Sequence, residues 1–375
     1  MKIGIITMHK VRNFGSVLQA YALQHIIKQL GFDNELIDYK YPKTVRNNIS
    51  FSNAIHSAFV FLCNLIVGFP KYKQQKKFDS FYRENLSLSS LEVDESNISS
   101  LPIYDGYITG SDQVWNPRFI GHDTNFMLAF APDDRPKISY ASSFATTEIS
   151  GDFHELYAKY LSRYDSISVR EQSGVTIVKE LTGMDASVCC DPSLLLKAHE
   201  WDKLAKRSKL NLKNRYILVY PIKYMYNPYP KLYDIVSMVQ KELGCTAIYL
   251  EGRKEDAFRA NSKLIKSAGP EDFVYLIKNA EFVITTSFHG AAFSMIYNKP
   301  MFGLVNKANT NDSRMQSLLK EFAALDSLID LNQYKHYSKE ELLRLKGSML
   351  AGESFVKRSK EALSEMLNIF HMPNQ

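Results

Sequence analysis

Cysteine is scarce in this sequence, which limits the classes of protein to which it can belong. Four cysteines occur in 375 residues, at positions 63, 189, 190 and 245. The adjacent pair lies in an apolar segment, where small core residues are expected, and this usage is typical of a reducing compartment. The first residues, MKIGIITMHK, lack the basic segment, apolar run and cleavage site of a signal peptide. We therefore expect a cytoplasmic protein.

Several catalytic and cofactor-binding motifs are also missing. The sequence contains no HExxH spacing, no carboxylate-rich calcium or magnesium loop, no P-loop, no GxSxG elbow and no GxGxxG fingerprint. The histidines are scattered, at positions that include 9, 25, 56, 122 and 154. We expect no metal site and no resident cofactor.

Charge is not strongly biased to one sign. The formal net charge of +6 arises from interleaved basic and acidic residues, without a long basic tail. Zinc-finger spacing and the aromatic signature of an RNA-binding domain are both absent. The composition argues against nucleic acid as a partner and weakly for an anionic ligand.

No apolar run reaches the roughly 20 residues that a helix needs to span a bilayer. The best candidate, residues 54–69, is followed by KYKQQKK at 71–77. One interpretation is a helix packed on the first domain. The other is a peripheral membrane contact through residues 54–77, with basic side chains against anionic lipid at the inner face of the membrane.

Apolar residues are abundant and are arranged as strands followed by helices. They make up 45% of the 375 residues, which fits two domains of roughly 150 to 200 residues. The chain opens with a βαβ pattern in which a strand at 2–7 precedes a helix at 16–30 and a strand at 35–39. We predict an α/β fold with two Rossmann-like domains whose parallel sheets face a cleft.

The domain boundaries follow from changes in composition. We predict a first domain at 1–200, with a helical insertion at about 40–100, and a second domain at 207–350. A C-terminal helix at 351–375 is expected to return to the first domain. The other predicted strands lie at 103–109, 137–142, 165–170, 187–190, 216–221, 245–250 and 281–285.

Polar side chains follow the predicted strands directly. Because parallel strands end at one edge of a sheet, we expect these residues to gather at that edge in the first domain: Ser111, Asp112, Ser142, Arg170 and Asp191. The loop before the first helix ends in Asn13-Phe14-Gly15, and the amides of Ser16 and Val17 beyond it are predicted to form an anion cradle.

The stretch at 281–305, EFVITTSFHGAAFSMIYNKPMFGLV, is the centre of the predicted second domain. It is typical of a strand, a polar turn at Thr286 and Ser287, a helix that begins at Phe288-His289-Gly290, and a second strand. Helix starts at such turns bind phosphate or carboxylate groups. His289 is therefore expected at a ligand-binding crevice.

Five segments in order resemble the polysaccharide pyruvyl transferases. They are NFGSVLQAYAL at 13–23, YITGSDQVWNP at 107–117, SVREQSG at 168–174, CCDPSLLL at 189–196 and SFHGAAFSMIYNKP at 287–300. The resemblance implies a GT-B-like protein that transfers pyruvate from phosphoenolpyruvate to sugar hydroxyls as a ketal, on a capsule or exopolysaccharide precursor. It places the acceptor on the first domain and the donor on the second, and a lipid-linked acceptor is compatible with it.

The donor, phosphoenolpyruvate, needs cations for its phosphate and carboxylate and an acid for its methylene carbon. We predict His289 as that acid or as a phosphate ligand, with Ser287 and Gly290 beside it. The family motif carries an arginine two residues before this histidine, where this chain has Ser287. Another cation must then bind the donor, and the candidates are Arg170, Lys307 and Arg314.

For the acceptor, Asp112 is predicted to accept a proton from the attacking hydroxyl, with Trp115 as a stacking surface for the sugar ring. The other predicted acceptor-binding residues are Asn13, Gly15, Ser111 and Gln113.

Each assignment has a structural alternative. His289 could be a capping histidine, Arg170 could pair with Glu171, Lys307 and Arg314 could be solvated, and Asp112 and Trp115 could form a capped turn and a core ring.

Two other functions fit the same pattern. One is a nucleotide-sugar-dependent glycosyltransferase, because a fold does not determine a function. The other is a non-catalytic scaffold of polysaccharide assembly.

Overall fold

A computed structural model describes residues 1–40, 70–222, 226–306 and 314–371 of the chain. The contacts divide it into two compact units. Unit 1 consists of Met1–Leu195 and Lys357–Gln375, and unit 2 of Leu196–Val356. The division falls close to the predicted junction at 200–207, and most of the predicted C-terminal helix groups with unit 1.

Unit 1 contains a sheet in the order β3-β2-β1-β4-β5-β6-β7, in which every strand pair of the described residues is parallel. Its strands are β1 (Lys2–Ile6), β2 (Asp33–Tyr39), β3 (Leu88–Val93), β4 (Gly106–Thr109), β5 (Lys137–Ser142), β6 (Ser166–Val169) and β7 (Ala186–Val188). Its helices, up to unit 2, are α1 (Phe14–Gln29), α2 (Pro70–Asn85), α3 (Pro117–Ile120), α4 (Gly151–Leu161) and α5 (Gln172–Thr182).

Unit 2 contains a second sheet in the order β10-β9-β8-β11-β12-β13, and its described strand pairs are also parallel. Its strands are β8 (Tyr216–Tyr220), β9 (Thr246–Leu250), β10 (Ser262–Ile265), β11 (Phe282–Thr285), β12 (Met301–Val305) and β13 (Leu328–Asp330). Its helices are α6 (Ala198–Ala205), α7 (Lys231–Leu243), α8 (Pro270–Asn279), α9 (Phe288–Ile296), α10 (Arg314–Glu321) and α11 (Lys339–Arg344), and α12 (Met349–Asn368) leads back to unit 1.

Short 3₁₀ helices connect several of these elements. They lie at Ile98–Ser100, Asn125–Met127, Pro192–Leu195, Lys254–Phe258, Leu325–Ser327 and Ile369–His371. The turns at Pro192–Leu195 and Lys254–Phe258 each follow the carboxyl end of a strand, β7 and β9 respectively. Both therefore lie at the edge of a sheet where ligands bind in α/β folds.

The central strands of a parallel sheet are covered on both faces, and β5 and β8 accordingly have no exposed residue. In unit 1 an apolar core lies around Trp115 and Val169, and in unit 2 an apolar core lies around Ile217 and Phe302. The prediction of two Rossmann-like domains with parallel sheets is confirmed.

Edge strands are where the sequence prediction fails. The predicted helical insertion at 40–100 contains β3, which pairs with β2 at the sheet edge. Because β3 is largely exposed, its polar composition, LSSLEV, hides the apolar signal of a strand. The edge strands β10 and β13 of unit 2 were missed as well, and both are only partly buried.

Two helices with a break between them occupy residues 339–368. α11 ends at Arg344, and α12 begins at Met349. Gly347 lies in the break, where a Cβ atom would collide with the sulfur of Met295 in α9. Glycine at this position therefore allows the chain to approach α9 closely.

The apolar stretch at 54–69 lies outside the described residues, and 70–77 belong to α2. Helices in the described part of the chain are too short or too polar to cross a membrane.

The C-terminal residues pack against the sheet of unit 1. The backbone N–H of Cys190, just beyond β7, donates to the Ser359 hydroxyl of α12 at 2.9 Å. Phe370 lies over Gly106 in β4, where a Cβ atom would come within 2.7 Å of the phenyl Cδ1. Glycine at this position therefore makes room for the aromatic ring.

Replacing Gly106 by alanine tests this packing. We expect Gly106→Ala to lower the free energy of unfolding by about 1–3 kcal/mol, because an added methyl group overpacks a filled site. Gly151→Ala is the matched control, since no atom lies within 4 Å of its Cβ position. It should leave the stability unchanged or raise it slightly. Urea denaturation of both variants measures the difference, and equal stabilities would contradict the packing.

Candidate functional site

In unit 2, the turn from β11 to α9 is built by hydroxyl groups. Ser287 is the N-cap of α9, and its side-chain oxygen accepts the backbone N–H of Gly290 at 3.3 Å. The Thr285 hydroxyl donates to the Tyr220 carbonyl at 3.0 Å and accepts the Ser287 N–H at 3.0 Å. The turn is thereby fixed to β8, the neighbouring strand.

Gly290 allows the first turn of α9 to approach β11 closely. A Cβ atom at this position would collide with the Thr285 side chain. Thr286 completes the connection, because its hydroxyl donates to the Ile222 carbonyl at 2.8 Å and accepts the Ile222 N–H at 2.7 Å. These contacts place the start of α9 at the carboxyl ends of β8 and β11. The order of the sheet changes direction at these two strands, and such a switch point is a favoured ligand site.

His289 lies in the first turn of α9. Its side chain is largely buried, with 6% of the residue exposed, and its ring meets that of Phe288 edge-on at 5.2 Å. The position combines an imidazole with the positive end of a helix dipole, which suits a negatively charged group.

Lys307 and Arg314 are the two loop cations predicted as candidates for donor binding. Lys307 lies outside the described residues. Arg314 begins α10, beyond β12, and is buried rather than solvated, with 2% exposed. Because β12 is the parallel neighbour of β11, Arg314 follows a strand that ends at the same sheet edge as the α9 turn.

In unit 1, the residues predicted to gather at the sheet edge form a buried cluster around Arg170. Its guanidinium binds the Asp191 carboxylate at 2.9 Å and lies 3.8 Å from Asp112. The arginine side chain is only 1% exposed. Arg170 is thus paired with two carboxylates, and neither is Glu171, the partner considered from the sequence. These contacts favour a structural ion pair over donor binding.

Asp191, which precedes Pro192, is the carboxylate closest to Arg170. It is fully buried, and one of its oxygens lies 3.0 Å from the Ser111 hydroxyl. The other accepts the Ser193 hydroxyl at 2.7 Å and the Ser193 N–H at 3.0 Å. The sequence signal for this site residue was its position directly after an apolar strand, which Arg170 shares.

Asp112 occupies a strained backbone conformation. Its φ angle is 76°, in the left-handed region that non-glycine residues rarely adopt. The carboxylate accepts a hydrogen bond from the Ser16 hydroxyl, and the Asp112 carbonyl accepts one from the Ser143 N–H at 2.9 Å. Strain of this kind is concentrated at functional sites.

Glu171 organises the loop that follows β5, a role missed from the sequence. One carboxylate oxygen accepts three hydrogen bonds, from the Ser143 hydroxyl at 2.9 Å, the Phe144 N–H at 2.9 Å and the Ala145 N–H at 3.1 Å. The residue is 1% exposed. Backbone bonds of this type leave little trace in a sequence because any residue can donate them.

The anion cradle predicted before α1 is already occupied by the protein. Asn13 is the N-cap of α1, and its side-chain oxygen accepts the N–H groups of Gly15 at 2.9 Å and Ser16 at 3.4 Å. The Val17 N–H donates to the Asn13 carbonyl at 3.3 Å. This prediction is therefore corrected: Asn13 satisfies the amides that an anion would need.

Trp115 does not offer a stacking surface. It is fully buried, its indole N–H donates to the Phe126 carbonyl at 3.0 Å, and its ring packs against Phe144 and Tyr164. The core interpretation replaces the sugar platform, because an indole whose N–H is satisfied internally is well suited to the interior. Gln113 is also internal, with its side-chain oxygen accepting the Asn116 amide at 2.8 Å.

Within the described ranges, no group of three or more His, Cys, Asp or Glu side chains is arranged to hold a metal ion.

Comparison with protein families identifies the group of proteins to which the chain is related. The family model of the polysaccharide pyruvyl transferases matches residues 13–308. The chain belongs to this family. Membership indicates a transferase of the pyruvyl type with a sugar or polysaccharide as acceptor, and the matched range includes the turn at His289 and the cluster around Arg170. No curated protein matches the sequence.

Solved structures share the fold of this pyruvyl transferase family member at low sequence identity. The UDP-GlcNAc 2-epimerase of Methanocaldococcus jannaschii is 11% identical with a TM-score of 0.50, and the match covers 98% of this chain and 100% of the epimerase. The corresponding enzyme of Rickettsia bellii is 10% identical with a TM-score of 0.50, over 98% of this chain and 96% of the other. These similarities establish the GT-B-like fold alone.

The cluster around Arg170 gives a stability prediction. We expect Asp191→Ala to destabilise the protein by about 3 kcal/mol, because it removes the closer of the two carboxylates that pair with the buried Arg170 and leaves only Asp112, 3.8 Å away, to balance the charge. Asp185→Ala is the matched control, since Asp185 pairs with Lys179 at a similar distance, 2.8 Å, but is 94% exposed. It should change the stability little. Thermal unfolding of both variants tests the difference, and a small effect of Asp191→Ala would contradict the structural role.

Proposed function

We propose that this protein transfers pyruvate from phosphoenolpyruvate to two hydroxyls of a sugar as a ketal, on a capsule or exopolysaccharide precursor in the cytoplasm. The main support is the family match over residues 13–308, combined with a histidine in the first turn of α9. Phosphoenolpyruvate is the donor whose phosphate and carboxylate suit a helix start at this position.

The proposed donor-binding residues lie in unit 2. Ser287 and Gly290 hold the helix start, and His289 provides an imidazole there. The family arginine is replaced by Ser287, so that a cation from another element is required. We assign this role to Arg314, which follows β12, and retain Lys307 as the second candidate. Arg170 is not assigned to the donor, because Asp112 and Asp191 balance its charge.

The proposed reaction begins with proton transfer. The protonated His289 ring donates a proton to the methylene carbon of phosphoenolpyruvate, which produces an oxocarbenium-like centre at the adjacent carbon. One sugar hydroxyl oxygen adds to this carbon, the bond to phosphate breaks, and the second hydroxyl closes the ketal. Of the two hydroxyl protons, one restores His289 and the other leaves on inorganic phosphate. No oxidant or reductant is needed.

In unit 1, we retain Asp112 as the group that first accepts a hydroxyl proton. Its strained backbone supports this assignment, since such strain persists only where the surroundings enforce it. Ser16 and Arg170 hold the carboxylate from two elements. The acceptor role of Trp115 is withdrawn.

Replacing His289 tests the proposed function. We expect His289→Ala to lower the rate of pyruvyl transfer at least about 100-fold, which is the usual loss for a general acid. His336→Ala is the matched control, because this histidine of unit 2 is exposed, with 67% of its side chain accessible. Phosphate release from phosphoenolpyruvate, measured over a panel of sugar acceptors, reports both variants. Wild-type rates for His289→Ala would contradict the assignment.

Ligand-induced stabilisation of the wild-type protein distinguishes the proposed function from its alternatives. Phosphoenolpyruvate should raise the melting temperature, because a ligand that binds the native state stabilises it. A rise with UDP-GlcNAc in the absence of any effect of phosphoenolpyruvate would favour the glycosyltransferase, and no rise with either would favour the scaffold.

A further inference from the structure

Two arginines are displayed at the carboxyl end of β9 in unit 2, away in sequence from the α9 turn. The Arg253 guanidinium carbon lies 3.9 Å from the centre of the Tyr229 ring, and that of Arg259 lies 4.0 Å from the centre of the Tyr233 ring. The two tyrosine rings contact each other at 5.0 Å, with an interplanar angle of 66°. The arginine pair, Arg253 and Arg259, therefore rests on one continuous aromatic surface.

A buried carboxylate fixes this surface. Asp256 is fully buried and accepts hydrogen bonds from the Tyr229 hydroxyl at 2.7 Å, the Tyr233 hydroxyl at 3.0 Å and the backbone N–H of Arg253 at 2.6 Å. Burial, followed by the hydrogen bond to Asp256, raises the pKa of both tyrosines, so that their hydroxyls remain donors. The rings beneath the arginine pair are thus held in place before any ligand binds, which lowers the entropy that binding costs.

The charge of the arginine pair is directed outward rather than used in internal ion pairs. Arg253 donates to the neutral side-chain oxygen of Asn227 at 2.8 Å. Among the described residues, no carboxylate lies within ion-pair distance of either guanidinium. A guanidinium stacked on an aromatic ring keeps its in-plane N–H groups available, and these match the oxygens of a phosphate group.

A cavity adjoins Arg259. Its volume is about 510 Å³, and Lys241 and Phe258 are among its lining residues. The amides of Gln240 and Asn261 line it as well. Phe258 is 88% exposed, an unusual position for a large apolar side chain. The cavity therefore offers a third cation, Lys241, and an apolar ring beside Arg259.

We propose that the arginine pair and the adjoining cavity form a binding site for an organic phosphate, in which Arg253 and Arg259 bind the phosphoryl oxygens and Phe258 contacts the organic part. The site follows β9, whereas the donor-binding residues follow β11 and β12. The two sets have no residue in common, and the proposal does not depend on the proposed pyruvyl transfer.

Calorimetric titration of the full chain with glucose 1-phosphate and with inorganic phosphate tests this site. We expect the double substitution Arg253→Gln, Arg259→Gln to weaken glucose 1-phosphate binding at least about tenfold, since hydrogen bonds between charged groups are stronger than those between neutral ones. Lys254→Gln, which removes an exposed charge from the same turn, is the control and should weaken it less than about threefold, because an isolated exposed charge contributes little. Melting temperatures verify that each variant is folded.

Several outcomes would overturn the proposal. Unchanged affinity in the double variant would do so, as would an equal loss in Lys254→Gln or the absence of binding to the wild type. Glucose 1-phosphate should bind more tightly than inorganic phosphate, and Phe258→Ala should remove that difference. If it does not, the role of the cavity is wrong. His289→Ala should retain this binding even where pyruvyl transfer is lost, so that the two proposals fail independently.

Discussion

The buried pair of Arg170 and Asp191 is the interaction on which the sheet edge of unit 1 depends. Arg170 follows β6, Asp191 follows β7, and the second carboxylate, Asp112, follows β4. One guanidinium therefore ties three strand ends together, and Glu171, the next residue, holds the loop after β5. A buried ion pair contributes little net stability, because both charges lose their hydration when they are buried. What it provides here is a single arrangement of the residues beyond the strands, including the strained Asp112.

The start of α9 illustrates how the residue at a helix cap determines which groups other elements must provide. A serine at position 287 accepts the Gly290 N–H and caps the helix, which an arginine side chain has no acceptor atom to do. The turn is closed by a hydrogen bond, and its cap residue brings no positive charge. Arg314, buried at the start of α10, shows that the same unit contains a cation with a fixed position.

The sequence predicted the central strands well, but it missed three of the four edge strands. β8 was predicted at 216–221, one residue beyond its observed end, because a strand buried on both faces is often a continuous apolar run, here YILVY. β3 was missed because it is exposed and polar. For the candidate site of unit 1, the position of Asp112, Arg170 and Asp191 directly after predicted strands placed them at one edge of the sheet. The sequence did not predict which of these side chains bind each other. Trp115 was misread because a sequence does not reveal whether an indole faces a ligand or the core, and Glu171 and Asn13 were misread because both bind backbone groups. Arg253 and Arg259 were not singled out, since their arrangement depends on tyrosines that lie 24 and 26 residues earlier in the chain.

The return of the last residues to unit 1 makes the packing of its sheet depend on both ends of the chain. Residues 196–356 are contiguous, so that the whole second sheet is encoded without interruption, as is usual for domains that fold as units. The sheet of unit 1 is encoded first, but its contacts with Ser359, next to β7, and with Phe370, over β4, can form only after residues 196–356 have been translated.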